Sequence, residues 1–306
     1  MTMKIYDLNK KYDGAVVLSL GFFDCIHLGH ASLIKTANEI ARSIGAESFV
    51  MTFSNDPSDI FGKSKQIYTF EDRIRAIENL GADGVVSTVF DEAFSNLSPQ
   101  EFLKRIFEFY DVKKIVVGAD YTFGINAEGD VDFLKRFCEV QNVGVEVVPF
   151  KCMDGLKLST RALKGLVETG DVATLNARLS EPYFMTGEVS MAKHNGTRMG
   201  FPTANISQNK DRFLLADGVY ATKTLVDGRE YISMTNVGAK PTFNDFSATV
   251  ETHIMGFDGD LYGKTVIIRF FERLRNIKAF ATPDDLKEQL TLDEQRVKTL
   301  FSSDNR

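Results

Sequence analysis

Five short apolar runs, at residues 16–20, 48–53, 84–89, 114–118 and 143–149, punctuate the first half of this 306-residue chain, with helical segments between them. Strands alternating with helices imply a parallel sheet covered on both faces. The helices carry their own start signals. Ser98-Pro99-Gln100-Glu101 has the form of a capping box with proline at the first helical position, leading into Phe102, Ile106 and Phe109 on one face. Thr69 opens another helix, expected to bury Ile74, Ile77 and Leu80 and to stop at Gly81. Ligands of such sheets sit at the carboxyl ends of the strands. Two segments fall there, one at residues 21–30 and one at Asp120-Tyr121-Thr122-Phe123-Gly124, and the architecture predicts that they converge.

The first segment, Gly21-Phe22-Phe23-Asp24-Cys25-Ile26-His27-Leu28-Gly29-His30, holds two of the four histidines, and residues 31–41 after it read as helix. A helix start presents unpaired backbone N–H groups and the positive end of the peptide dipole, which favours phosphate. Gly29 leaves the backbone open to an approaching anion. His27 and His30, three apart, can reach the same anion and donate to phosphoryl oxygens. A His-x-x-His pair also suits zinc, yet no cysteine or histidine elsewhere is placed to complete a set. Core or surface roles for either histidine remain open.

Hydrophobic residues at 43% and charged residues at 25% are ordinary for a globular chain, and the length suffices for two domains with separate cores. A net charge of −6 lacks the basic face that broad nucleic-acid binding needs, although magnesium and local donors can offset a nucleotide's charge. Cys25, Cys138 and Cys152 form neither a disulfide framework nor a zinc motif. Residues 1–14 lack an apolar signal core and no later stretch is long enough to cross a bilayer, so a cytoplasmic protein without a membrane partner is expected.

The rhythm changes near residue 180. Residues 160–179 read as two short helices broken at Gly170-Asp171, with Glu181-Pro182 as linker, giving expected domains of 1–180 and 183–306. Beyond the linker come short strands with turn signals at Asp217-Gly218, Asp227-Gly228 and Asp258-Gly259, the pattern of an antiparallel β-barrel. Thr282-Pro283 opens a C-terminal helical region, with Thr291-x-x-Glu294 as a further capping box.

The Gly-x-Phe-Asp-x-x-His-x-Gly-His pattern resembles the signature of the nucleotidyltransferase superfamily. In the second half, Gly200-Phe201-Pro202-Thr203-Ala204-Asn205, Asp217-Gly218-Val219-Tyr220, Asn236-Val237-Gly238-Ala239-Lys240-Pro241-Thr242-Phe243, Val250-Glu251-Thr252-His253-Ile254 and the segment from Phe257 to Lys264 follow in the order of a riboflavin kinase module. Together these motifs resemble the prokaryotic bifunctional riboflavin kinase/FAD synthetase family. The resemblance implies an α/β nucleotidyltransferase domain with a Rossmann-like parallel sheet, then a kinase barrel with a C-terminal helix. It implies phosphorylation of riboflavin to FMN and adenylylation of FMN with ATP. By the same resemblance Glu251 is the kinase base, and Thr203 and Asn205 hold Mg2+ or another divalent cation at the ATP phosphates. Read alone, Glu251 would be an ordinary strand carboxylate. His27 and His30 are the implied adenylyl-transfer residues. Gly21, Phe23, Asp24, Gly29, Asp120, Phe123, Ser159, Thr160 and Arg161 are the implied binding residues of the first domain, and Gly200 and Pro202 those of the second. Gly187 and residues 196–200 would let a loop fold over the nucleotide, or form a plain hairpin turn; His194 and His253 read as structural.

The first half departs from the family pattern at four places. Cys25 stands for a glycine, Asp56 for a histidine, Asn126 lies where a basic residue follows Phe-Gly, and Leu163 replaces an arginine, with Arg161 and Lys164 nearby. A lost bidentate arginine implies slow FAD formation that Leu163→Arg would restore. A kinase with a weak or silent adenylyltransferase domain is therefore the alternative reading, and a non-catalytic flavin or nucleotide binder the third.

Overall fold

The computed structural model describes residues 3–302 apart from 61, 63, 64, 191–199, 208, 210, 211 and 241–244, and of residues 239, 240 and 245–248 the backbone alone. By compactness the chain divides into Met1–Thr160 and Arg161–Arg306.

In the first unit the strands are β1 (Lys4–Asp7), β2 (Tyr12–Leu20), β3 (Glu47–Phe53), β4 (Gly84–Thr88), β5 (Tyr110–Gly118) and β6 (Gly144–Val148), and the helices α1 (Leu28–Ile44), α2 (Phe70–Asn79), α3 (Glu92–Ser95), α4 (Pro99–Phe109) and α5 (Val131–Val140). A two-strand hairpin, β7 (Cys152–Met153) with β8 (Leu156–Lys157), follows. The six strands pair in parallel in the order β1-β4-β3-β2-β5-β6. All five strands expected from the apolar runs are present. Edge strand β1 was not legible, because its mixed, largely exposed residues carry no apolar run. Val16, Leu18 and Leu20 of β2 join a core with Phe102, Leu103 and Ile106 of α4 and Leu134 and Cys138 of α5. Val17 and Ser19 point the other way and are equally buried, while α1 packs against β2, β3 and β5. Burial on both faces explains why these strands read as continuous apolar runs.

Both helix starts have reciprocal caps, Ser98 with Glu101 and Thr69 with Asp72. The buried face of α2 differs from expectation. Ile77 is buried, but Ile74 and Leu80 are only partly so, and Asp72, Arg73 and Ala76 take the interior. Periodicity overlooked Arg73 because its charge is satisfied by carbonyls that only the folded chain brings together.

The second unit holds α6 (Thr160–Thr169, whose first residue closes the first unit), α7 (Val172–Asn176), strands β9 (Phe184–Ser190), β10 (Ala204–Ile206), β11 (Gly218–Val226), β12 (Arg229–Lys240), β13 (Asp245–Ile254) and β14 (Thr265–Arg275), and α8 (Pro283–Ser302). The strands close a barrel in the antiparallel order β10-β13-β12-β11-β14-β9. Asp227 and Gly228, both at positive φ, make the β11–β12 turn. The interior holds Thr222, Thr224, Ser233, Thr235 and Thr252, all fully buried and hydrogen-bonded to one another at 2.7–3.5 Å. Outside, Val297 and Phe301 of α8 cover Val219, Ala221, Met234 and Leu274.

Three local expectations change. Residues 161–180 pack with the barrel: Asn176 Nδ2 donates to the Phe270 carbonyl at 2.8 Å, and Ala216 N–H to that of Val167 at 3.0 Å. Thr291 is not a cap, because α8 runs unbroken and the Thr291 hydroxyl donates to the Lys287 carbonyl; Thr282 and Asp285 cap this helix instead. Gly187 lies inside β9, where a Cβ would stand 2.3 Å from Ile206 Cγ2, so close packing requires the glycine there.

Leu163 is fully buried on α6, whereas Arg161 is exposed. Leu163→Arg would therefore force a cation into an apolar site. It is expected to destabilise the second unit by about 3 kcal/mol or more instead of restoring a phosphate contact. Thermal unfolding of the variant beside the parent checks this, and an unchanged midpoint would refute it.

Candidate functional site

Strand order reverses at β2. The chain proceeds outward through β3 and β4 on one side, then returns to place β5 and β6 on the other. The crevice beyond the carboxyl ends of β2 and β5 is thus the sheet's switch point, where α/β folds bind ligands. A cavity of about 490 Å³ lies there. Gly21, His27 and His30 after β2, Asp120 and Phe123 after β5, and Ser159 with Thr160 after β8 all line it. The convergence predicted from the sequence is present, and the cavity adds the Ser159-Thr160 segment.

His27 is the N-cap of α1, and its Nδ1 accepts the backbone N–H of His30 at 3.1 Å. Nδ1 is therefore unprotonated, and Nε2 carries the proton of the neutral ring. His30 is the reverse: its Nδ1 donates to the Cys25 carbonyl at 2.6 Å, so in the neutral ring Nε2 is a lone pair. The rings stack with centroids 3.7 Å apart. Desolvation first, then the neighbouring imidazole, holds the His27 pKa down to about 3; desolvation holds His30 at about 4. Both are neutral at pH 7, and only His27 Nε2–H is a ready donor.

The glycines of this motif have steric roles. A Cβ at Gly29 would stand 2.9 Å from the His27 ring, and one at Gly21 would stand 2.9 Å from that of Phe23. Phe23 itself has φ of 58° and packs edge-on against His30. Cys25 does not have a positive φ, so it fits its loop without backbone strain, and its carbonyl orients His30. Asp24, implied as a binding residue, faces inward: its Oδ1 accepts the amides of Ile67 and Tyr68 at 2.8 and 3.2 Å. Asp56 is buried and caps residues 57–60 through Ser58. Asn126 takes a left-handed conformation on an exposed turn.

Sequence reasoning missed Arg73. This fully buried guanidinium donates to the carbonyls of Phe22 and Phe53 at 3.0 and 2.9 Å and to Thr52 Oγ1 at 2.9 Å. It lies 4.6 Å from the Phe22 ring centroid, and burial brings its pKa down to about 10. The motif loop is thereby tied to the end of β3. The aromatic lining was missed as well. Phe53, Phe90, Phe94, Phe102 and Phe123 form a connected series with successive centroids 4.9–5.8 Å apart. The abundance of phenylalanine, 25 residues with no tryptophan, was the available signal.

In the barrel, Asn205 on β10 lies opposite Glu251 on β13, and Glu251 lies opposite Asn236 on β12. Strand alternation turns Thr252 into the interior and Glu251 to the outer face, so the three polar side chains form one row. Asn205 Nδ2 is buried without a hydrogen-bond partner among the described residues. Thr203, two residues earlier, is exposed. His253 Nδ1 donates to the Pro202 carbonyl at 2.8 Å and its ring meets Phe201 edge-on, which anchors the segment entering Thr203. Gly200 has φ of 84°. Sequence reasoning missed Asn236 in this row, because cross-strand register is not written in local spacing. His194, residues 196–199 and Pro241-Thr242-Phe243 lie outside the described residues. Arg161, in the second compact unit, is not among the residues lining the 490 Å³ cavity.

Among the described residues no cluster of three or more His, Cys, Asp or Glu could hold a metal ion, and no helix is long and apolar enough to cross a membrane.

Comparison with known proteins matches residues 9–162 to an FAD synthetase family model and residues 179–301 to a riboflavin kinase model. A Bacillus subtilis protein described as a bifunctional riboflavin kinase/FMN adenylyltransferase is 32% identical, over 97% of this chain and 96% of its own length. An Escherichia coli protein of the same description is 28% identical, over 97% and 96%. A solved chain from Streptococcus pneumoniae, described as a macrolide-efflux protein, shares the fold with a TM-score of 0.85 at 28% identity, covering 97% of this chain and 99% of that one. Its description differs from those of the curated relatives, although the fold is the same along both units. By both family models and by near-complete alignment with relatives, this chain belongs to the bifunctional riboflavin kinase/FMN adenylyltransferase family.

Proposed function

We propose that this chain makes both flavin cofactors: its barrel phosphorylates riboflavin to FMN, and its α/β unit joins FMN to the AMP part of ATP and releases pyrophosphate. The observation that carries the reading is the cavity at the switch point, where a histidine-bearing helix start meets an aromatic lining suited to a flat ring system. FMN's phosphate is already an anionic nucleophile, so the adenylyl step needs charge stabilisation and not a strong base. His27 Nε2–H and the start of α1 would donate to the phosphoryl oxygens, while His30, turned by Cys25, supports the His27 ring by stacking. His30 becomes a second donor at Nε2 only if the incoming phosphates raise its pKa enough to protonate it.

In the kinase step Glu251 takes the proton of the ribityl hydroxyl as the hydroxyl oxygen attacks the terminal phosphorus of ATP, the bond from that phosphorus to the β,γ-bridging oxygen breaks, and ADP leaves with the electron pair. Thr203 and Asn205 offer uncharged oxygens of the kind Mg2+ takes, and the buried, unpartnered Asn205 Nδ2 is a donor suited to an acceptor such as a phosphate oxygen beside that ion. When bound, that ion would neutralise phosphate charge. Riboflavin, FMN and ATP are the proposed partners, in the cytoplasm, with no role for nucleic acid or a bilayer.

Incubation with riboflavin, ATP and magnesium, followed by separation of the flavins, tests the whole reading: FMN and then FAD are expected. FMN alone would leave the α/β unit without its proposed activity. Glu251→Gln should lower FMN formation by at least about a hundredfold while FAD formation from supplied FMN is retained. Near-parental kinase turnover would remove Glu251 from the mechanism. Because His27 and His30 are held at about 3 and about 4, kcat/KM of the adenylyl step should show no inflection near pH 6.5. An inflection there that disappears in the His27→Ala/His30→Ala double variant would contradict the neutral assignment.

A further inference from the structure

Two neutral imidazoles leave a triphosphate's charge largely unmatched. Among the described residues that line the cavity, the cations are Lys151 and Lys157. They differ in how they are held. Lys157 ends β8, and its Nζ forms an ion pair and hydrogen bond with Asp120 Oδ2. The same Nζ lies 5.2 Å from the centroid of the Phe150 ring, so a second contact fixes the ammonium. Asp120 is fixed in turn. Its Oδ1 lies 3.1 Å from where a Cβ of Gly118 would stand, so the carboxylate folds back over the end of β5, as glycine there allows. Lys157 and Asp120 both act electrostatically on His27, which places the pair beside the imidazoles, and Lys151 has no such coupling. Asp120 also acts on His30. The β7–β8 hairpin turns at Asp154 and Gly155, both at positive φ, and thereby returns Lys157 to the cavity.

A bare carboxylate on the wall of a phosphate site would repel the nucleotide. Paired with Lys157, it becomes a holder for a cation. We propose that Lys157 is the phosphate-binding cation of the adenylyl-transfer site and that Asp120 positions it. The ammonium exchanges part of its pairing with Asp120 for the triphosphate of ATP. An oxygen of FMN's phosphate forms a bond to the α-phosphorus, the bond from that phosphorus to the α,β-bridging oxygen breaks, and pyrophosphate leaves with the electron pair. Lys157 keeps its proton throughout and donates hydrogen bonds to the departing oxygens, where negative charge grows. The inference rests on the adenylyltransferase reading above and assigns a residue that motif spacing does not indicate, since it lies on a hairpin outside the helix-start motif.

The test compares the full-length parent, Lys157→Gln, Lys157→Arg and Lys151→Gln, with FMN and ATP varied separately. Lys157→Gln should lower kcat/KM for ATP in FAD formation by about tenfold or more, as expected for loss of a charge-assisted contact to phosphate. Riboflavin phosphorylation in the same preparation should match the parent, which reports that the barrel has folded, and an unchanged KM for FMN reports that the α/β unit has. Lys157→Arg should recover most of the loss. Binding of inorganic pyrophosphate, measured by titration calorimetry, should weaken in parallel with Lys157→Gln. Parental ATP kinetics in Lys157→Gln, or a loss confined to Lys151→Gln, would overturn the assignment. A parent that makes no FAD from FMN and ATP would instead refute the adenylyltransferase reading; pyrophosphate binding that depends on Lys157 would then still support the cation's role, and unchanged binding would refute it.

Discussion

One hydrogen bond organises the first unit's site: the His30 backbone N–H donates to Nδ1 of His27 at the start of α1. It satisfies an otherwise orphaned helix amide, which an N-cap side chain must do. It also fixes the His27 tautomer, so that Nε2–H is the atom left to meet a ligand. The ring then occupies the space over residue 29, which is why glycine is required there. His30 stacks on that ring and is oriented by the Cys25 carbonyl. Helix capping and the proposed phosphate contact thus fall on one side chain, His27.

Around this core, charge is used to hold chain segments in place. Asp24 is close enough to the histidines in sequence to look like a ligand, yet its carboxylate accepts the amides just ahead of α2. Arg73, from α2 itself, reaches the carbonyls of Phe22 and Phe53. Removing one partner of such a buried arrangement strands the other, so these residues support the cavity wall without lining it. The separation is physical: Asp24 and Arg73 are satisfied largely by backbone, whereas the Asp120–Lys157 pair at the cavity stays partly exposed and can be exchanged.

Much of this was legible in the sequence for definable reasons. Parallel strands buried on both faces leave apolar runs, Ser98, Thr69 and Thr282 mark helix starts by local hydrogen bonding, and Pro99 does so by its fixed φ, so all needed only neighbours along the chain. The illegible parts depend on distant partners. Edge strand β1 is recognised only through its pairing with β4, Arg73 only through carbonyls 20 and 51 residues away, and the cation at position 157 only through Asp120, 37 residues away. Thr291-x-x-Glu294 had the letters of a cap, but no break in α8 for a cap to serve. Leu163 was misread because its packing could not be seen: a position judged against a motif as a missing arginine is, in the fold, a core leucine.

The barrel solves a different problem with the same economy of register. Its interior sets a cluster of hydroxyls that satisfy one another among buried apolar side chains such as Val237, Val250, Ile268 and Phe270, so these polar groups need no charge. Period-two alternation then puts the next residue of β13, Glu251, on the outer face, between asparagines from β10 and β12. Neither asparagine carries a charge, so the row places no cation from these two strands against the carboxylate. A one-residue slip of β13 would exchange Glu251 for Thr252, placing a carboxylate inside the barrel and a hydroxyl at the site. The interior hydroxyl network resists that slip, because Thr252 makes its hydrogen bond to Thr235 only in the observed register. The packing that closes the barrel is therefore also what holds the candidate base in position.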